Sequence, residues 1–195
     1  MIAETALLVA LRVEIERYWP EQTMRWPFAT QVEIESAWRE NARLKTSREE
    51  GCGFGQITRT ARFDTLAELK DKHADAFSGW SWANCTNRTY QLRSVVIMNL
   101  DAARALPRMA NAREQWAMIA AARNRGVGGT VSEWRLCQRT PGCDASRWYG
   151  HIELTCTASR APLPGIGRSA CEVNRAHVAK VMDEKRGAKY VQALK

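Results

Sequence analysis

The sequence has no apolar run long enough to cross a bilayer, which excludes a helical membrane-spanning protein. Its N-terminal apolar stretch, Ala6-Leu7-Leu8-Val9-Ala10-Leu11, is short. It follows Glu4 and runs into Arg12, Glu14, Glu16 and Arg17. A secretory signal needs a positively charged start and a small-residue cleavage site, and this stretch has neither, so an amphipathic first helix docked on the core is expected instead. Internal repeats and low-complexity tracts are also missing, which excludes solenoids and arrays. There is no Cys-X-X-Cys, and the three histidines, His73, His151 and His177, stand apart. That spacing argues against structural zinc, so neither a metal nor another cofactor is expected. The basic residues form no block, and no helix-turn-helix, zinc-finger or aromatic RNA-binding signature accompanies them, so nucleic acid is not the expected partner.

What the chain does have bounds its class. At 195 residues, 45% of them hydrophobic, it is long enough for a buried core and too apolar for disorder, and one domain over residues 1–195 is expected. The net charge of +8 draws such a protein to polyanions, including anionic envelope polymers. Six cysteines, Cys52, Cys85, Cys137, Cys143, Cys156 and Cys171, point to disulfides in an oxidising compartment. Cys137 and Cys143 bracket the turn Thr140-Pro141-Gly142 and form the natural local pair; the remaining pairing is open. Eight tryptophans are many for this length. Large aromatics mostly fill cores, and Trp80 and Trp82, in a polar stretch, are the candidates for a sugar-stacking rim.

Apolar spacing predicts a mainly α-helical fold with at most a minor strand element. Helices are expected over 3–18, from Pro27 through Val32, Ile34, Glu35 and Trp38 toward Leu44, over 65–77 behind an Asp64 or Thr65 cap, and over 88–104, 109–124 and 174–185. Residues 45–62 read as a polar, glycine-containing loop. Gly126-Val127-Gly128-Gly129 ends the helix before it, and 130–136 adds at most a turn. Residues 137–172 read as irregular, with His151-Ile152-Glu153-Leu154 the only strand-like segment.

The chemistry concentrates at Glu35-Ser36 and at Gly53-Phe54-Gly55-Gln56-Ile57. Glu35 lies among Ile34, Ser36 and Trp38, and an apolar setting disfavours the charged carboxylate, as a general acid requires. A surface glutamate on an amphipathic helix is the plain alternative, with Glu33 and Glu40 nearby. Glycines at 53 and 55 let backbone approach a ligand closely, and the Gln56 amide both donates and accepts, which suits sugar hydroxyls and acetamido groups.

These two segments resemble the Glu-Ser and Gly-Leu-Met-Gln-Ile signature of lytic transglycosylases with a lysozyme-like fold. Ala122-Arg123-Asn124-Arg125-Gly126 resembles that family's Ala-Tyr-Asn-X-Gly block, and Glu172-Val173-Asn174-Arg175-Ala176-His177-Val178 its Glu-Thr-X-X-Tyr-Val block, in family order. Pro141-Gly142-Cys143-Asp144 and Trp148-Tyr149-Gly150-His151 look like phage lysis proteins of this type. The resemblance implies a phage endolysin of lysozyme-like fold. Its Glu35 would act first as acid and then as base, with Ser36, Phe54, Gln56, Arg123 and Asn124 toward the substrate. The implied partner is the peptidoglycan glycan strand, and a monomer without stable membrane insertion is expected. The chain would be made in the host cytoplasm without a signal peptide and act in the periplasm once a holin opens the inner membrane. The sequence departs from the family at Gly55, which replaces a methionine, and at Arg123 and His177, which replace tyrosines; Tyr90 or Tyr149 would have to supply a phenol from elsewhere. The rival readings are a hydrolytic lysozyme using Glu35 and Asp64, because ordinary glycosidases use paired carboxylates, and a non-catalytic basic wall-binding module.

Overall fold

Helices dominate the computed structural model, which describes residues 2–195, with side chains from Thr5 onward. The fold is mainly α, with one small antiparallel sheet. Among the described residues no helix is long and apolar enough to cross a membrane. The chain groups into two compact units: the segment up to Ile97 with Arg186–Lys195, and Met98–Lys185.

In the first unit, α1 (Ile2–Tyr18) buries Leu7, Leu8, Leu11 and Ile15, a stripe at helical spacing. Each such side chain contributes roughly 1.5–3 kcal/mol on burial. Trp19 then meets Phe28 edge to face at 5.8 Å. Helix α2 (Trp26–Ser36) starts with Pro27 in its first turn, where the missing N–H costs nothing. It stops at Ser36, short of the expected end near Leu44, because Ala37 turns left-handed and its N–H closes on the Glu33 carbonyl at 2.8 Å.

The following polar segment is a sheet in which β1 (Arg43–Lys45), β2 (Glu49–Cys52) and β3 (Ile57–Thr60) pair antiparallel in that order, where a loop was expected. Asp64 caps α3 (Thr65–Lys72) by accepting the Ala67 N–H at 3.0 Å. After α4 (Ala74–Phe77), Trp80 is fully buried between Phe77 and Tyr90, so it is a core residue and not a rim. A short 3-10 turn, Trp82–Asn84, leads to α5 (Arg88–Ala105), inside which the division between units falls. The Cys52–Cys85 disulfide joins β2 to the end of the 3-10 turn that precedes α5, and Arg93 of α5 forms a nearly buried, bidentate ion pair with Glu14 of α1.

The second unit is built on α6 (Ala112–Arg125), whose Trp116 to Ala122 are all buried. A helix apolar all round is a core helix, and its small alanines let neighbours approach. Asn111 caps it, and the buried Glu114 carboxylate accepts the Trp148 and Tyr149 N–H groups at 2.7 and 3.1 Å. Gly126 separates α6 from α7 (Val127–Gln138), a full helix where only a turn was expected. Residues 151–154 make a 3-10 turn, Ile152–Leu154, and not a strand. A Ser169–Glu172 capping box starts α8 (Ala170–Val181), and α9 (Glu184–Val191) follows, its residues from Arg186 onward belonging to the first unit. Cys137 pairs with Cys143 as expected, and Cys156 with Cys171.

Glu133 of α7 has no solvent exposure and sits between the guanidiniums of Arg125 and Arg175. Arg175 Nη2 lies 2.8 Å from Glu133 Oε2, an ion pair whose angles fall outside hydrogen-bond geometry. Arg175 further donates to Glu153 O and Asn174 Oδ1. Removing the shared carboxylate leaves two cations facing each other with little water. Glu133→Ala is therefore expected to lower stability by about 3–5 kcal/mol in urea unfolding, and a loss under about 1 kcal/mol would show the cluster to be solvated.

Candidate active site

Glu35 occupies the last turn of α2 and is half-buried. Ser36, beside it, is buried, and its hydroxyl donates to the Val32 carbonyl at 2.9 Å. The chain then takes two successive left-handed residues, Ala37 (φ 51°) and Trp38 (φ 60°). Non-glycine residues seldom hold this conformation, and Trp38 keeps it because it is anchored. Its indole N–H donates to Tyr190 Oη at 3.0 Å, and its ring packs on Phe54 at 6.2 Å.

Glu33 lies roughly 200° around the helix from Glu35. Tyr190 Oη donates to its Oε2 at 3.0 Å, Lys189 Nζ lies 2.8 Å from its Oε1, and Arg186 stands at 3.4 Å. Partial burial pushes the Glu33 carboxyl up, but the hydrogen bonds from Lys189 and Tyr190 and the charges of Lys189 and Arg186 outweigh it. Glu33 is held below the ordinary glutamate range and stays ionised.

The turn between β2 and β3 carries the second expected segment. Phe54 is fully buried against Trp38, and the Gly53 N–H donates to Ala42 O at 2.8 Å. The residue three after Glu35 thus touches the residue two before Gln56, which brings the α2 terminus and the turn together. Gln56 is itself left-handed, at φ 46°. Its Nε2 donates to Gly53 O at 2.8 Å, so the half-buried amide lies across its own turn. A Cβ at Gly51 would come within 2.9 Å of Gln56 Oε1. The glycines at 53 and 55 serve a different approach from the one expected. A Cβ at Gly53 would coincide with the Gln91 amide, and one at Gly55 would meet Val95 Cγ2 at 3.0 Å. The turn needs glycine because it lies directly on α5.

Asp64 is fully engaged. Oδ1 accepts the Ala67 N–H that caps α3, and Oδ2 accepts Trp82 Nε1 at 2.8 Å. The Trp82 ring, half-buried, is covered by the Arg59 guanidinium at 4.5 Å.

In the second unit, Arg123 and Asn124 fall in the last turn of α6. Asn124 is exposed, and its Oδ1 accepts Asn174 Nδ2 at 3.0 Å; the same buried amide donates to Ala121 O at 3.0 Å. The segments 122–126 and 172–178 therefore lie side by side. His177 is mostly buried, and burial, followed by the charges of Arg123 and Lys180, pushes its imidazole down to about 4. The two positions at which tyrosines were expected are thus an arginine and a neutral histidine that feel each other. Tyr149 is also held neutral, burial pushing its phenol up to about 12 against the pull of Arg113. Glu133, Cys156 and Cys171 cluster closely enough to suggest a metal site, but the sulfurs form a disulfide and the carboxylate serves two arginines.

Two parts of this site carry no local sequence signal. The left-handed Ala37–Trp38 link depends on Tyr190, far along the chain, and Gln91 reads as an ordinary polar position on α5. Only the spacing of Gln91 and Val95, four apart on one helix face, matches the two glycines they receive.

His177 also sets a pH dependence. Its folded pKa near 4 lies below the unfolded value of about 6.5, so the unfolded chain binds more protons between them. The contribution of His177 is present above about pH 6.5 and is lost as pH falls toward about 4. His177→Gln is expected to flatten the decline of urea midpoint over that window; identical slopes in the two proteins would contradict a buried neutral imidazole.

Compared with protein families, with curated proteins and with solved structures, the chain matches none.

Proposed function

We propose that this chain is a peptidoglycan lytic transglycosylase of lysozyme-like fold, an endolysin, in which Glu35 is the single acid and base. The observation that carries this reading is the strained backbone. Among the described residues the non-glycine positions with positive φ are Ala37, Trp38 and Gln56, two directly behind Glu35-Ser36 and one at the proposed sugar contact. Strain of this kind costs about 1–3 kcal/mol per residue and persists where the surroundings over-determine it, typically at functional sites. A mainly helical chain with a short antiparallel sheet after the acid-bearing helix accords with lysozyme-like architecture.

The neighbouring carboxylates favour one acid over two. Glu33 is tied up by Lys189, Arg186 and Tyr190, and Asp64 spends both oxygens on a helix cap and an indole. A hydrolytic partner for Glu35 would have to give up such bonds.

The chemistry then balances without water. Glu35 gives its proton to the glycosidic oxygen between N-acetylmuramic acid and N-acetylglucosamine, and that C1–O bond breaks. The carboxylate takes the proton of the muramyl 6-hydroxyl, whose oxygen bonds to C1. The product is a 1,6-anhydro sugar, and Glu35 is again protonated. Gln56 offers its amide to the sugar, while the buried Ser36 and Phe54 support the acid and the turn. Three disulfides suit action in the periplasm, and the net charge of +8 suits an anionic envelope.

Wall-clearing rates separate the three carboxylates. Glu35→Gln is expected to lose about 10²–10⁴-fold. Glu33→Gln and Asp64→Asn should stay within about tenfold of wild type, their losses following stability. Clearing by Glu35→Gln equal to wild type would favour the binding-module reading, and an Asp64→Asn variant as inactive as Glu35→Gln would favour the hydrolytic one.

A further inference from the structure

We propose that Gln91 is a positioning residue for this site: it never meets the glycan, but fixes the turn that presents Gln56. The inference rests on the reading of Glu35 and Gln56 given above.

Gln91 is fully buried on α5. Its Nε2 donates to the carbonyls of both Cys52, at 3.2 Å, and Cys85, the two ends of one disulfide. Its Oε1 accepts the Gly55 N–H at 3.4 Å. A carboxamide has two donor hydrogens and one acceptor oxygen, and all are used. The amide fills the space that a side chain at Gly53 would take. One group therefore holds the last residue of β2, the turn and the far end of the disulfide. Ile57, which opens β3, is paired with the same Cys52.

Gln56 depends on that arrangement. Its left-handed backbone and its bond to Gly53 O both require Gly53 to stay where Gln91 permits it. If Gln91 loses its amide, Gly53 and Gly55 regain freedom of backbone conformation and the Gln56 side chain is displaced from the substrate. A displacement of about 1 Å in a positioned group costs on the order of 100-fold in rate. Nothing else at position 91 reproduces two donors and one acceptor in this space. Methionine keeps the length and offers no N–H. Glutamate keeps the shape, but as a carboxylate it aims negative oxygens at two carbonyls; protonated, it restores the acceptor and one of the two donors.

Wild type, Gln91→Met and Gln91→Glu, each shown folded by thermal unfolding, are compared on soluble uncrosslinked glycan strands across a pH series. Gln91→Met is expected to lose about 100-fold in kcat/KM with a raised KM. Fewer folded molecules would lower the rate and leave KM unchanged. Gln91→Glu is expected to approach wild type at acid pH and to fall as pH rises, with a titration absent from the other two proteins. An active wild type whose kcat/KM is matched by Gln91→Met, or whose pH profile is matched by Gln91→Glu, overturns the role of Gln91 alone. A wild type that releases no anhydro fragments overturns the reading of the site, and this inference with it. If Gln91→Met does not fold, the pH profile of Gln91→Glu against wild type decides.

Discussion

The turn Gly53–Gln56 lies so close on α5 that no side chain fits at its first position, and most of the proposed site follows from that contact. Gln91 and Val95 form the bed, the Cys52–Cys85 disulfide fixes one margin, and the buried Phe54 carries the contact across to Trp38. Trp38 in turn holds the left-handed exit from α2, immediately behind Glu35. The acid and the proposed sugar contact are therefore joined through packed aromatic and backbone groups within one unit, and the acid sits on a helix rather than a loop. A chemically precise constellation needs such support from residues that do not themselves react.

Electrostatics sharpens the same picture. The chain carries many carboxylates, and those near the site or in the interior are matched to specific partners. Glu14 pairs with Arg93, Glu114 receives two backbone N–H groups, Glu133 joins two arginines, Glu33 is surrounded by a lysine, an arginine and a tyrosine, and Asp64 caps a helix. At Glu33 those partners hold the carboxyl below the ordinary glutamate range. On the proposed reading the task of Glu35 requires the protonated form at the start of the cycle. In the second unit burial keeps His177 and Tyr149 neutral, and Arg123 and Lys180 are the charged groups that His177 feels.

Much of this was legible in the sequence where the 3.6-residue period is strong. The stripe Leu7, Leu8, Leu11 and Ile15, the run from Leu92 to Leu100 and the alanine-rich α6 each read directly as helix, and Asp64 read as a cap. The sheet did not read, because its strands are three or four mostly polar residues, with Leu44, Cys52 and Ile57 as single apolar positions and no apolar alternation. Helix α7 was hidden by Gly128 and Gly129, which ordinarily break helices. The end of α2 was missed because its stop is set by Ala37 and Trp38, held by the distant Tyr190. The glycines of the turn were read for their freedom to approach a ligand; the structure uses that freedom against α5 instead. Trp80 read as a rim residue from its polar neighbours, and stacking between Phe77 and Tyr90 buries it. For the end of α2 and the turn on α5, the missing information is a contact between residues far apart in sequence.

The mass of the products released from purified peptidoglycan bears most directly on the central claim, that Glu35 works without a second carboxylate and without water as nucleophile. The account predicts muropeptides ending in 1,6-anhydromuramic acid, each one water lighter than the hydrolysed fragment, and almost none from Glu35→Gln. Fragments with reducing ends, carrying the added water, would contradict it.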